Sequence, residues 1–222
     1  MPELKVRTAT EADILPMARI MTACFPTANA IIFPERLYAP GKDNSTEDII
    51  KWRASRALRR MREGQPTFVA VDGETIVGAA QWQKPGSHTP AATSDEGKPA
   101  MAEPTSEEYK PPTFDAETAA QIMEIIISES KKWEQALGYD TSTGWYLLMI
   151  AVDPEQQRRG IGKLLMRWGV DKAASEGRDL FLTATPEGKP LYEKTGFKVL
   201  AEYDIMGMPH SAMVLHAPGS ER

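Results

Sequence analysis

The sequence has little cysteine, little histidine, no long apolar run and no excess of basic charge. A single cysteine, Cys24, among 222 residues excludes an intrachain disulfide. The three histidines, His88, His210 and His216, lie in separate segments, so no Cys/His cluster has zinc-ligand spacing and no metal is expected. The longest apolar run, 145–152, is far short of a bilayer span and suits a buried strand. The N-terminal Met-Pro-Glu-Leu-Lys-Val-Arg carries no apolar targeting core. The expectation is a cytoplasmic protein with no membrane partner. Lys and Arg number 26 against 31 Asp and Glu, a formal charge of -5. That balance argues against a nucleic-acid coat or a polybasic membrane binder.

What is there reads as a folded chain. Hydrophobic residues make up 41% and charged residues 26%, both near globular averages. The length suits one domain over 1–222 with an embellishment. Six prolines (85, 90, 99, 104, 111 and 112) fall in 84–113 among small polar and acidic residues, which predicts a loop insertion.

The periodicity predicts a mixed α/β order. A short strand covers 4–7. Thr10 and Asp13 form a capping pattern before an apolar stretch to Phe25, with Pro16 near the first turn. A second helix is expected over 45–63, capped by Ser45, with Ile50, Ala54, Ala57 and Met61 on one stripe. Its six basic residues between 51 and 62 read as a solvated face. Strands at 67–71 and 75–83 flank an Asp72-Gly73 turn. A helix follows over 115–137, with Ile122, Ile126, Trp133 and Leu137 on one face. The remaining elements are strand 145–152, helix 160–176, strand 180–184, short helix 190–195 and strands 197–205 and 212–216. The unit 145–184 predicts a crossover between parallel strands.

The chemistry concentrates in Val152-Asp-Pro-Glu-Gln-Gln-Arg-Arg-Gly-Ile-Gly-Lys163. A buried strand ends, a turn follows, and a glycine-bearing loop opens a helix. Amide groups at a helix start lack intrahelical partners, and the dipole adds positive potential. Gly160 and Gly162 offer close backbone approach, and Arg158, Arg159 and Lys163 add charge. Together they predict a pyrophosphate cradle. A P-loop would need Gly at 157 and Ser or Thr at 164, where Gln and Leu stand. A dinucleotide fingerprint would need Gly at 165, where Leu stands.

What remains is Gln157-x-x-Gly160-x-Gly162, followed one helix and one strand later by Leu191-Tyr192-x-x-x-Gly196-Phe197. This pair of motifs resembles the acyl-CoA signature and the Leu-Tyr-x-x-x-Gly-Phe signature of the GCN5-related N-acetyltransferase (GNAT) superfamily. The ending is similar to fungal and bacterial members related to puromycin-type acetyltransferases. The resemblance implies a central mixed twisted sheet flanked by helices. It also implies acetyl-CoA as co-substrate, with Gln157, Arg158, Arg159, Gly160, Gly162 and Lys163 at its phosphates.

In that family two adjacent parallel strands splay, and pantetheine pairs with the first. The backbone of Ile150 and Val152 would serve it here, with an amide near Ile150 or Ala151 facing the developing oxyanion. Tyr192 would protonate the leaving thiolate. The acceptor is an amine on a small molecule or a peptide, attacking directly. Thr185 departs from the pattern, standing where the family often has Asn. Candidates for a general base are Glu124, Glu129, Glu187, His88 and a water chain. Cys24, with no histidine nearby in sequence, is not expected to act as a nucleophile. A non-catalytic acyl-CoA sensor and a protein N-terminal or lysine acetyltransferase stay open, as do monomer and homodimer.

Overall fold

The computed structural model describes residues 3–38, 46–87, 109, 111–122, 124–125, 128 and 140–219. Expectations for Ser45, His88, Ile126, Glu129, Trp133 and Leu137, and for most of the proline-rich stretch, fall outside those residues.

The first strand, β1 (Leu4–Thr8), leads to a turn where the Thr10 amide donates to Asp13 Oδ2 at 2.7 Å. That capping box opens a 3-10 turn, Glu11–Asp13, which runs directly into α1 (Ile14–Cys24). Pro26 cannot extend α1, because it has no amide hydrogen, and instead opens α2 (Pro26–Ile32). Helix α1 fills the apolar stretch expected to run to Phe25, and α2 is a further helix beyond it. Helix α3 (Thr46–Arg62) lays Ala54, Ala57, Leu58 and Met61 on the same core as α1. One expected surface residue is inside. Arg53 is buried, donates to the Met21 carbonyl in the last turn of α1 at 3.3 Å and to Asn29 Oδ1 at 2.5 Å, and satisfies a helix end. Burial pulls its guanidinium down to about 10.

The hairpin β2 (Thr67–Asp72) and β3 (Thr75–Gln83) turns at Gly73, whose φ is 63°. Then come a helical segment at 116–122, β4 (Trp145–Val152), α4 (Ile161–Ser175), β5 (Leu180–Ala184) and α5 (Lys189–Thr195). The last hairpin pairs β6 (Lys198–Ile205) with β7 (Met208–Leu215). The seven strands lie in the order β1-β2-β3-β4-β5-β7-β6. β4 and β5 run parallel and the other pairs are antiparallel.

Each face of the sheet has its own core. Helix α1 packs with Val69, Val71, Ala79, Met149 and Ala151. Helix α4 covers the other face with Ala80, Trp82, Leu147, Leu180 and Leu182. α4 approaches β3 so closely that a Cβ on Gly169 would overlap the Trp82 ring. Among the described residues, no helix is long and apolar enough to cross a membrane.

Candidate active site

The parallel strands part company midway. β5 pairs with β4 through Trp145↔Leu180, Tyr146↔Phe181 and Leu147↔Leu182, and no further. β4 stays on β3 as far as Val152↔Gly78. Between Gln81 and Trp82 the register slips, leaving Leu148 as an extra residue on β4. The slip reverses which neighbour each residue faces. The Trp145 amide donates to the Asp179 carbonyl on the β5 side at 3.0 Å. The Asp153 amide donates to the Val77 carbonyl on the β3 side, also at 3.0 Å. A regular strand would turn both the same way. Counting back from Asp153, Ala151 and Met149 face β3, while Val152 and Ile150 face the split. A cleft of about 620 Å³ opens there.

At its wide end the chain turns through Pro154–Gln156, held by the Asp153 carboxylate, which accepts from the Glu155 amide at 3.0 Å. Gly160 caps α4 in the left-handed region, φ 82°, and a Cβ there would meet nothing within 4 Å. The backbone favours glycine, or a residue such as asparagine that tolerates the left-handed region, and the position leaves open space at the helix start. Gly162 has a different reason. A Cβ there would come 3.1 Å from Leu191 Cδ2, so this glycine sets the approach of α4 to α5.

Gln157, Arg158, Gly160, Gly162 and Lys163 line the cleft together with Ile150 and Val152. Gln157 Nε2 donates to the Val152 carbonyl at 3.2 Å. Arg159 is not among the lining residues. Its guanidinium turns to the β2–β3 hairpin, donating to Asp72 Oδ2 at 2.8 Å, and also to Gln156.

Tyr192 reaches the cleft from α5 and is 6% exposed. Its ring meets Phe197 edge-on at 5.9 Å, and a Cβ on Gly188 would sit 3.1 Å from its Cε2. Burial pushes the phenol well above its ordinary range, so it keeps its proton. Thr185 and Glu187 also line the cleft, whereas Glu124, just beyond the helical segment at 116–122, is exposed.

One lining residue was set aside in the sequence. Cys24, at the end of α1, donates from Sγ to the Val152 carbonyl at 2.9 Å. Burial raises its thiol pKa, and a protonated thiol is a poor nucleophile. The 128 residues separating the two positions leave no local signal for this contact.

Residues 121–199 match the family model described as acetyltransferase (GNAT) domain. An acetyltransferase of Stachybotrys chartarum is 24% identical over 212 residues, covering 92% of this chain and 84% of the relative. A Corynebacterium glutamicum structure, described as histone acetyltransferase HPA2 and related acetyltransferase, superposes with a TM-score of 0.58 at 22% identity, covering 95% of this chain and 94% of the other. Salmonella typhimurium yncA, solved with its cofactor acetyl-CoA, gives a TM-score of 0.52 at 14% identity, covering 99% and 96%.

Proposed function

The chain belongs to the GNAT superfamily of acetyltransferases, and we propose that it transfers acetyl from acetyl-CoA directly to a primary amine on a small molecule or a peptide. The observation that carries this reading is the split beyond Leu147↔Leu182, which joins an edge of β4 that no longer pairs with β5, the start of α4 and a buried phenol in one cleft.

The residues fit the co-substrate. Acetyl-CoA is an elongated molecule with a diphosphate at one end and an acyl thioester at the other, and the thioester is the activated acyl donor. The amides that open α4 point out of the helix and attract a diphosphate, and Arg158 and Lys163 stand beside them. Open space above Gly160 leaves room for that group. The backbone of Ile150 and Val152 offers strand-like pairing to an extended amide chain. The Ile150 amide also offers a donor for charge developing on the acyl oxygen. Tyr192 keeps its proton and holds it toward the departing sulfur. Arg159, committed to Asp72, supports the loop from outside the cleft. We take 1–222 as one catalytic domain.

The test is thiol release from acetyl-CoA with and without a panel of primary amines, with the product weighed by mass spectrometry. Amine-dependent release and a gain of one acetyl group are expected. Acetyl-CoA binding with no amine-dependent release would contradict the reading and favour a sensor.

A further inference from the structure

Three hydroxyls from three strands meet at the apex of the split. Tyr146 Oη on β4 lies 2.8 Å from Thr183 Oγ1 on β5. Thr183 Oγ1 lies 3.0 Å from Tyr203 Oη on β6. Thr183 is the first β5 residue beyond the last parallel pair, and it lines the cleft. Tyr203 crosses β7 to reach it and stacks on His210, its cross-strand partner, with centroids 6.0 Å apart and planes at 19°. His210 Nδ1 is 2.8 Å from the Met208 carbonyl, which can only accept. That contact assigns a ring hydrogen to Nδ1.

The chain lies on a definite side. Leu180, Leu182 and Ala184 of β5 pack in the α4 core, and Tyr192 packs with them. By alternation Thr183 faces the opposite side, toward α1. The split therefore carries a phenol on one face and a row of hydroxyls on the other.

An amine reaches an enzyme at neutral pH mostly as an ammonium ion, since a lysine-like amine has a pKa of about 10. It attacks only after losing a proton. A hydroxyl can accept one hydrogen bond while donating another, so a row of them can pass a proton and end as it began. We propose that Thr183 and Tyr203 form the exit path for the acceptor amine's proton, with Tyr146 holding the Thr183 hydroxyl in place. The assignment rests on the acetyltransferase reading above.

The step balances. An N–H bond of the ammonium breaks as an O–H bond forms on Thr183. The hydrogen that Thr183 held passes to Tyr203, and the hydrogen of Tyr203 passes to water at its half-exposed edge beside His210. Nitrogen keeps the electron pair, and each hydroxyl regains its neutral form. Thr183 is the residue that meets the substrate. Tyr146 and Tyr203 act through it. The titratable groups around the path are Tyr146, Tyr203 and His210 themselves, Tyr192 across the split, Cys24 on α1, and Glu187, Arg158, Lys163 and Lys194 along the cleft wall.

The experiment compares wild type, Thr183→Val, Thr183→Ser and Tyr203→Phe on one alkylamine across pH, beside melting curves and acetyl-CoA affinity. Thr183→Val keeps the shape and removes the hydroxyl. Its kcat/KM for the amine should fall about 10²-fold at neutral pH, the scale of a lost proton-transfer group. The loss should shrink to within about threefold above the amine's own pKa, where no proton need leave, because the defect is confined to proton removal. Tyr203→Phe should follow the same pattern, Thr183→Ser should restore the profile, and acetyl-CoA affinity should not change. A uniform loss across pH, or no loss, would overturn the proposal while leaving the acetyltransferase reading intact. A wild type that acetylates no amine would overturn both.

Discussion

Arg7 and Asp13 clamp the first strand to the first helix through two parallel hydrogen bonds, Nη1 to Oδ2 at 2.7 Å and Nη2 to Oδ1 at 2.8 Å. The Arg7 guanidinium, helped by the Thr10 amide and hydroxyl, holds the buried Asp13 carboxyl well below the usual carboxylate range. A carboxylate whose pKa is depressed by folding stabilises the fold fully above its unfolded pKa of about 3.9. The contribution fades as pH falls below that value toward the folded pKa. Asp13→Asn should therefore lose about 1.5–3 kcal/mol at pH 7, the range for hydrogen bonds to charged groups. The gap between variant and wild type should narrow in acid. Urea unfolding at neutral and acid pH checks this, and an equal gap at both would contradict it.

Gly160 separates fold from ligand. Its φ of 82° disfavours most side chains, but asparagine tolerates the left-handed region. Gly160→Asn should fold with a melting temperature near wild type. Its side chain would enter the open space at the start of α4, where the diphosphate is proposed to sit. CoA affinity should drop about tenfold, equivalent to about 1.4 kcal/mol. Calorimetric titration with CoA reads the change, and unaltered affinity would move the diphosphate elsewhere.

Tyr192→Phe removes the proposed donor and keeps the ring. Because burial raises the phenol pKa, Tyr192 stays protonated through neutral and mildly alkaline pH, and an alkaline fall in rate there belongs to another group. The substitution should lower kcat by about 10²–10⁴-fold with little change in acetyl-CoA affinity, since a leaving-group donor acts in the transition state. Equal kcat values, measured where chemistry limits the rate, would reduce Tyr192 to a packing residue.

The strands were readable because each is a short apolar run bounded by turn residues, and β4 and β5 match their expected limits. β7 begins earlier than expected. Met206 and Gly207, with φ of 53° and 82°, make a two-residue hairpin, so the strand starts at Met208 rather than 212. Pro209 is tolerated because β5 pairs with β7 only from Ser211 on, so its missing amide hydrogen breaks no ladder bond to β5.

The glycine loop and Tyr192 were legible because each sits in a local motif. The Cys24–Val152 contact, the turn of Arg159 toward Asp72 and the hydroxyl row were not, because each joins residues from elements far apart in sequence. Leu148, the extra residue that turns Ile150 and Val152 toward the cleft, shows only in the pairing with β3.

Acetyl-CoA is proposed to bind along the edge of β4 that parts from β5. Amide hydrogen exchange resolved by residue, with and without saturating acetyl-CoA, tests it directly. Ile150 and Val152 should exchange more slowly when the co-substrate is bound, because their backbone groups gain partners. Ala151, which faces β3, should change little. Acetyl-CoA that binds measurably while Ile150 and Val152 exchange as in the free protein would place the co-substrate outside the split and contradict the account.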